Sequence, residues 1–219
     1  ENFNWVKPGF ATDEWIIGAS LSLDPNVVGF FPGVNTATYK YYLDFAARMK
    51  FPYIIIDDGW ANPNDISQLN PDVNIPELVK YGRERNVGII LWAESWMVKK
   101  DIPGVLHYFR ELGVAGIEID FHQRDDVDMM RFYEAVLQAA SAEKLVVSFH
   151  GCGKPGGLQF QYPNLITMEA GLGHEFNKGS NIVSPRHKLD LAFIRTLSGL
   201  FDYEGGSLIN SQPEIFKVD

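Results

Sequence analysis

Two kinds of hydrophobic pattern alternate along the chain. Short continuous runs rich in Ile and Val are typical of strands buried on both faces of a parallel sheet, whereas apolar residues that recur every three or four positions are typical of helices. The pattern predicts strands at residues 15–17, 53–57, 88–92, 116–121, 145–149 and 165–169, and a weaker seventh at 201–203. It predicts helices at residues 36–50, 75–86, 102–112, 126–142 and 189–199. Asn35 or Thr36 is a suitable cap for the first helix, and Gly113 suits the end of the third.

This alternation of strands and helices predicts an α/β fold, and a (β/α)8 TIM barrel fits it best. No Pro- or Ser-rich linker divides the chain, so residues 1–219 are interpreted as one catalytic barrel domain. A full barrel takes about 250 residues, and residues 205–219 have the composition of a loop, so we expect the barrel to be truncated at its C-terminal end. The alternative is an open doubly wound sheet, which usually carries a Gly-rich phosphate turn after its first strand. The absence of G-x-G-x-x-G at that point favours the barrel.

Acids, His or Trp stand where five successive predicted strands end. They are Asp57 and Asp58, Trp92 with Glu94, Asp120, His150, and Glu169 followed by Glu175. In a barrel these strand ends converge on one face, which is where barrel enzymes hold their catalytic groups. A single acid after a strand is more often a helix cap or a loop residue. Five such strand ends together favour an active site.

Paired carboxylates at one face suit the chemistry of a retaining glycosidase. One carboxylate attacks the anomeric carbon, while the other protonates the leaving oxygen and then deprotonates water. Clustered Glu side chains also suit Ca²⁺, which prefers oxygen ligands. The five His residues lack H-x-x-x-H spacing and Cys152 is the only cysteine, so a zinc site is disfavoured.

Composition narrows the possible partners. The formal net charge of −9 argues against a surface that neutralises phosphates, so we expect no nucleic-acid partner. The longest apolar runs have the length of strands, so we expect no membrane span. Aromatic residues make up 13% of the chain, which suits stacking against sugar rings as well as an aromatic core.

Taken together, the motifs resemble family 97 of the glycoside hydrolases, whose members include α-glucosidases and α-galactosidases. The resemblance covers nearly the whole chain. It is carried by Val6-Lys7-Pro8-Gly9, Thr38-Tyr39-Lys40-Tyr41-Tyr42, Asp57-Asp58-Gly59-Trp60, Asp120-Phe121, Arg124-Asp125-Asp126, Phe149-His150-Gly151, Lys154-Pro155, Tyr162-Pro163-Asn164, Glu169, Gly173, Glu175, Asn177-Lys178 and Asp202-Tyr203.

The resemblance implies a mechanism. Inverting members of that family carry a base Glu directly after the fifth-strand His, whereas retaining members place an Asp nucleophile at the end of strand four. This chain has Gly151 at the first position and Asp120 at the second, which implies the retaining branch. Glu175 is then similar to the general acid/base, and Glu169 to a calcium ligand with Glu175 on or near the ion. A retaining site predicts carboxyl groups of Asp120 and Glu175 about 5 to 6 Å apart.

The same resemblance implies that the substrate is an α-linked oligosaccharide or a galactoside. Asp57 and Asp58 resemble acids that accept hydrogen bonds from sugar hydroxyls, and Trp60 and Trp92 would offer apolar ring faces. The sugar-binding set also includes His150 and Lys154. An α-galactosidase is favoured, with an α-glucosidase as the alternative. The resemblance further implies a periplasmic or secreted bacterial protein, and the family's N-terminal β-sandwich and C-terminal β-domain are not expected within residues 1–219.

The chain departs from the family pattern at two positions. Glu118 stands two residues before Asp120 where the family usually has Lys, and Gly179 follows Asn177-Lys178 where it usually has Trp. Glu118 adds negative charge beside the predicted nucleophile, which leaves open an inactive carbohydrate-binding barrel. A metal-dependent hydrolase or isomerase would need His at several strand ends, and only His150 stands clearly at one.

Overall fold

A six-stranded parallel sheet forms the centre of the computed structural model, which describes residues 2–15, 25–178, 180 and 182–205. The strands of this sheet lie side by side in chain order: β1 (Ala11–Thr12), β2 (Tyr53–Ile56), β5 (Gly88–Glu94), β6 (Gly116–Asp120), β7 (Val146–Phe149) and β8 (Leu165–Met168). A doubly wound sheet reverses its strand order, and this sheet does not. The α/β fold is therefore confirmed, with a sheet of the barrel type, and the complete (β/α)8 barrel stays a prediction.

Helices occupy the connections between these strands. They are α1 (Pro25–Val28), α2 (Thr36–Met49), α3 (Ile75–Arg83), α4 (Ser95–Lys100), α5 (Ile102–Leu112), α6 (Val127–Glu143), α7 (Leu158–Gln161) and α8 (Pro185–Ile194). The predicted caps are present, since the Asn35 side chain accepts from the Thr38 amide and Gly113 ends α5 in the left-handed region at φ 79°. Among the described residues, no helix is both long enough and apolar enough to cross a bilayer.

Several predicted elements differ from the structure. The first strand lies at Ala11–Thr12, ahead of the predicted 15–17, and residues 16–17 lie outside the described residues. Residues 201–203 form no strand, although the Asp202 amide donates to the Met168 carbonyl. The helix predicted at 189–199 begins earlier and stops at Ile194, before a 3-10 turn at Thr196–Ser198. The sequence pattern also missed a hairpin, β3 (Ala61–Asn62) with β4 (Asp65–Leu69), because its strands are short and largely polar.

The two faces of the sheet have different surroundings. Side chains alternate along each strand, so Ile54 and Ile56 of β2 pack in the main core beneath the helices, while Tyr53 and Ile55 face the other way. On that second face, Ile55, Ile90, Gly116 and Val146 pair in register across four strands. Three of these four residues belong to a small apolar cluster that forms the base of this face.

The sheet is curved so that this second face is concave. Asp13 comes directly after edge strand β1, and Asp202 lies beside β8, where its amide donates to the Met168 carbonyl. These are the two edges of the sheet, yet Asp13 lies close enough to Asp202 and His150 for charge interaction. Carboxylate oxygens of Glu118, in the middle of the sheet, come within 4.8 Å of ligand atoms from both sides. The concave face encloses a cavity of about 880 Å³, apolar at its base and lined by Asp13, His150 and Asp202 at the carboxyl end of the strands.

Close packing on the concave face should make Gly116 intolerant of a side chain. A Cβ there would lie 2.4 Å from Val146 Cγ2 and 2.5 Å from the Val146 carbonyl oxygen. We expect Gly116→Ala to lower the free energy of unfolding by about 1–3 kcal/mol, because overpacking forces the neighbouring strand to move. Urea denaturation measures the change. The matched control is Gly33→Ala, whose new Cβ meets only Asn35 Nδ2 at 3.6 Å; an equal loss in both variants would contradict this account.

Candidate active site

Strand register determines which side chains meet on the concave face. One residue layer above the apolar base, Trp92, Glu118 and Ser148 are paired across β5, β6 and β7. The next layer pairs Glu94 with Asp120 at the carboxyl end of the strands. Glu118 and Asp120 are two residues apart on β6, so both side chains point to the concave face.

Asp120 is held by two hydrogen bonds. Its Oδ2 accepts from the Trp92 indole Nε1 at 3.3 Å, and its Oδ1 accepts from the Phe121 amide at 2.6 Å. Phe121 itself adopts a left-handed backbone at φ 59°. The two donors fix the orientation of the Asp120 carboxylate.

Gly151 provides the space that the Asp120 carboxylate occupies. A Cβ at position 151 would lie 2.7 Å from Asp120 Oδ1, and φ at this residue is +52°. Any side chain here would therefore meet both a steric clash and backbone strain.

Glu175 lies on a 3-10 helix at His174–Lys178, in the segment after β8. Its Oε2 accepts from the Trp15 indole Nε1 at 2.9 Å. Glu169 is buried just after β8, and its Oε2 accepts from the Gly151 amide at 2.8 Å. Burial raises the pKa of Glu169 to about 7, and the nearby Glu175 carboxyl adds to the rise while His150 and the Gly151 amide oppose it.

Glu204 is an acid of this region that the sequence analysis missed. Burial raises its pKa to about 9, and Asp13, Glu175 and Glu169 contribute through repulsion. Its Oε2 is buried without a hydrogen-bond partner. The sequence offered no signal for it, because residue 204 follows no strand or helix of the described chain.

Asp13 and Glu14 were also missed. Both follow β1, and Glu14 Oε1 accepts from the Tyr39 hydroxyl at 2.8 Å and from the Asp57 amide at 3.1 Å. Burial, followed by the Glu14 charge, raises the pKa of Asp13 to about 7, and burial raises that of Glu14 to about 7. The strand-end rule would have found both acids if the first strand had been placed at residues 11–12.

His150 is the cation among these acids. Its Nε2 lies 3.1 Å from Asp202 Oδ2 and 3.4 Å from Glu118 Oε2. Burial alone would lower the pKa of His150, but the Glu118 and Asp202 carboxylates outweigh it and raise the pKa well above the usual value. Glu118 is 1% exposed, and burial raises its pKa as well. The unusual Glu118 thus belongs to an acid–imidazole–acid group at the centre of the sheet.

The remaining predicted sugar-binding residues differ in placement. Asp57 lies at the end of β2, where burial and then Asp13 raise its pKa to about 7. Asp58 is exposed, and its amide donates to Asp57 Oδ1 at 2.5 Å. Lys154 is exposed on the loop after β7. Trp60 is 2% exposed in the helix-side core, edge-on to Phe109, so its placement does not support the prediction that it offers a ring face to sugar.

The sequence model of the glycoside hydrolase 97 family matches residues 17–171, which is most of the chain. The chain belongs to glycoside hydrolase family 97. The resemblance inferred from the motifs is thereby confirmed.

Named relatives of this family-97 chain agree with that assignment. It is 36% identical over 214 residues to the retaining alpha-galactosidase of Bacteroides thetaiotaomicron, a match that covers 96% of this chain and 32% of that protein. It is 31% identical over 220 residues to a protein of Streptomyces bingchenggensis named probable retaining alpha-galactosidase, covering 95% and 32%. The chain thus spans about a third of the length of these relatives.

Solved structures give the same result. A family 97 enzyme from Pseudoalteromonas sp. strain K8 matches with a TM-score of 0.75 and 26% identity, over 92% of this chain and 35% of that one. That enzyme has been solved in complex with acarbose, and its E480Q variant with panose. A beta-arabinopyranosidase matches with a TM-score of 0.62 and 28% identity, over 78% of this chain and 27% of that one.

The acids near Glu175 carry oxygen ligands of the kind that calcium, the ion implied by the family resemblance, prefers. The Glu175 carboxyl interacts with Glu169 and with Glu204, and the buried Glu204 Oε2 lacks a hydrogen-bond partner. These three acids are not among the groups of the described residues whose ligand atoms all lie within 4.8 Å of one another. Those groups are Glu118 with His150 and Asp202, and Asp13 with Asp57 and Glu118.

His122 lies at the end of β6 but faces the core. It is 4% exposed among the rings of Tyr133, Phe149 and Phe132, and its Nε2 donates to the Ile119 carbonyl at 3.0 Å. Burial lowers its pKa to about 4. His122 is therefore a neutral structural residue at neutral pH.

This burial predicts a pH dependence of stability. The His122 pKa is about 4 when folded and about 6.5 when unfolded, so the unfolded state binds the proton first as pH falls. The His122 contribution is complete above pH 6.5 and is lost between about pH 6.5 and 4, with roughly 2 kcal/mol gone at pH 5. We expect the wild type to lose stability relative to His122→Gln over this range in urea titrations. His107→Gln, at an exposed helix position, is the control, and parallel pH profiles for wild type and His122→Gln would contradict the assignment.

Proposed function

We propose that this chain is the catalytic part of a retaining glycoside hydrolase that cleaves α-galactosides. The observation that carries the proposal is the Asp120 carboxylate at the end of β6, oriented by the Trp92 indole and the Phe121 amide, with Gly151 leaving space beside it. The relatives named as retaining alpha-galactosidases support both the mechanism and the substrate.

The reaction proceeds in two steps. In the first, an Asp120 oxygen attacks the anomeric carbon, the glycosidic bond breaks, and Glu175 gives its proton to the leaving oxygen. In the second, Glu175 removes a proton from water, the water oxygen attacks the anomeric carbon, and the bond to Asp120 breaks. Asp120 attacks as the carboxylate, and its two oxygens accept hydrogen bonds from the Trp92 indole and the Phe121 amide.

Glu175 must hold a proton before the first step. Glu169 and Glu204 lie within charge-interaction distance of the Glu175 carboxyl group.

The cavity of the concave face suits a neutral sugar with several hydroxyl groups. Asp13, His150 and Asp202 line it, and Asp57, with Asp58 next to it, lies within charge-interaction distance of Asp13 and Asp120. A carboxyl group near its pKa can accept a hydrogen bond from a sugar hydroxyl when it is ionised, or donate one when it is protonated. A site with such fixed polar groups rejects a sugar that leaves them unpaired, so these acids distinguish galactose from glucose in this proposal. An α-glucosidase is the alternative outcome.

Calcium would bind at Glu169 and Glu175, with Glu204 beside them. The ion would supply positive charge that fixes the carboxyl pair and orients sugar hydroxyls. The chain's own residues carry out every proton transfer described above.

Removal of the Asp120 carboxylate tests the nucleophile. We expect Asp120→Gly to lower kcat on an aryl α-galactoside by roughly 10⁴-fold, because no other group can form the covalent intermediate. Sodium azide should restore turnover and yield the β-galactosyl azide, since the small anion attacks from the vacated side. Asp128→Ala, at an exposed position of α6, should keep full activity. Absence of azide rescue in a folded Asp120→Gly protein would contradict the nucleophile assignment.

The stereochemistry of the product tests the reaction class. NMR during hydrolysis of an α-galactoside should show the α-anomer of galactose as the first product. A first-formed β-anomer would exclude the retaining mechanism. Sugar binding without any hydrolysis would instead favour the inactive carbohydrate-binding barrel, and faster cleavage of an α-glucoside would favour the α-glucosidase.

Calcium binding is tested without reference to activity. Isothermal titration of the chelator-treated chain with CaCl₂ should give one site, and Glu169→Gln should weaken it about tenfold or more, because one anionic ligand is lost. Glu111→Gln, an exposed acid on α5, should leave binding unchanged. Equal affinities for the wild type and Glu169→Gln would place the ion elsewhere.

A further inference from the structure

We propose that Trp15 is a positioning residue for the acid/base: its indole N–H holds Oε2 of Glu175 and so fixes the orientation of that carboxyl group toward the leaving oxygen. This inference rests on the proposed role of Glu175. The contact that carries it joins Trp15 Nε1 to Glu175 Oε2 at 2.9 Å, between residues 160 positions apart.

Glu175 needs an external anchor because of where it lies. The sheet strands are fixed by ladder hydrogen bonds, but Glu175 belongs to a five-residue 3-10 helix outside the sheet. Hydrogen-bond geometry is poorer in a 3-10 helix than in an α-helix. The flanking Gly173 and the His174 amide are held mainly against Glu204, whose carbonyl accepts from the His174 amide at 3.2 Å. The side chain of Trp15, from the segment after β1, supplies a contact from outside this helix.

Trp15 stands three residues after β1, and its backbone amide donates to the nearby Asp13 Oδ1 at 2.8 Å. Trp15 is 44% exposed, so it lies at the surface and not in the core. The contact therefore connects the segment after the first strand with the segment after the last strand.

An indole suits this task for a chemical reason. Its N–H donates but cannot accept, and it exchanges no proton with a carboxyl group in the working pH range. It can therefore hold Oε2 in both steps of the proposed reaction. Oε1, on the other side of the carboxyl group, is the oxygen left to face the substrate. Trp92 makes the corresponding contact to Asp120 Oδ2, so each proposed catalytic carboxyl has one indole donor.

The contact itself is tested by NMR on the ¹⁵N-labelled chain, without any substrate. We expect the Trp15 indole N–H resonance to move upfield in Glu175→Ala, because the hydrogen bond to Oε2 is lost. The resonances of Trp5, at the base of the sheet, serve as the internal control. A Trp15 resonance that is the same in the wild type and in Glu175→Ala overturns the proposal.

The consequence for catalysis is tested with leaving groups of different basicity. Trp15 is replaced by β-(3-benzothienyl)alanine, which substitutes sulfur for the N–H and keeps the shape, and separately by Phe. A poor leaving group needs the acid, whereas a 2,4-dinitrophenyl group does not. We expect kcat/KM to fall about tenfold for 4-methoxyphenyl α-galactoside, the loss of one hydrogen bond to a charged group. It should stay nearly unchanged for the dinitrophenyl substrate, and Trp5→Phe should leave both values unchanged.

The outcomes distinguish a failure of this inference from a failure of the proposed function. An equal fall for both substrates in the benzothienyl variant would show a structural role for Trp15, and no fall for either would show that its N–H is dispensable. Either result overturns the inference. Glu175→Gln is measured on the same substrates; if it shows no dependence on the leaving group, Glu175 is not the acid and the proposed function itself fails.

Discussion

The crowding of negative charge at the carboxyl end of the sheet is the constraint on which the site depends. Parallel register and the curvature of the sheet bring carboxyl groups from both of its edges to one face. Carboxylates placed so close together in a partly buried site cannot all be ionised at once. Burial and mutual repulsion therefore raise the pKa of Asp13 and Asp57 to about 7, and the site holds protons that an open surface would release.

His150 relieves part of this repulsion. Its imidazole lies between Glu118 and Asp202, and its charge lowers the pKa of Glu118 and Glu169 against the effect of burial. The departure at Glu118 therefore has a local explanation in the structure. An acid two residues before Asp120 is accommodated because an imidazole from the neighbouring strand faces it.

The sequence predicted the middle of the molecule well and its edges poorly. Strands β2, β5, β6, β7 and β8 fall within a few residues of the predicted ranges, because long runs of Ile and Val leave little alternative for a segment buried on both faces. Strand β1 has only two residues, too few for a hydrophobic pattern, so the predicted strand fell on Trp15 instead. That shift concealed Asp13 and Glu14. Glu204 and the contact of Trp15 with Glu175 depend on tertiary packing between the two ends of the sheet, which no local pattern encodes.

Trp60 illustrates a different limit of sequence analysis. Its position directly after the acids of β2 places it near the site in the chain, but the Gly59 backbone at φ 107° turns it toward the helix-side core. The Trp60 indole then donates to the Trp92 carbonyl at 2.9 Å. Trp60 is next to site residues in the sequence, but its side chain packs in the core beneath the helices and not on the concave face.

The gap at Gly151 limits which residues can stand at two neighbouring strand ends. A Cβ at position 151 would lie 2.7 Å from Asp120 Oδ1, so a side chain at 151 and the Asp120 carboxylate cannot both keep their present geometry. In the function proposed above, moving the carboxylate from one strand end to the other would therefore require changes at both positions together.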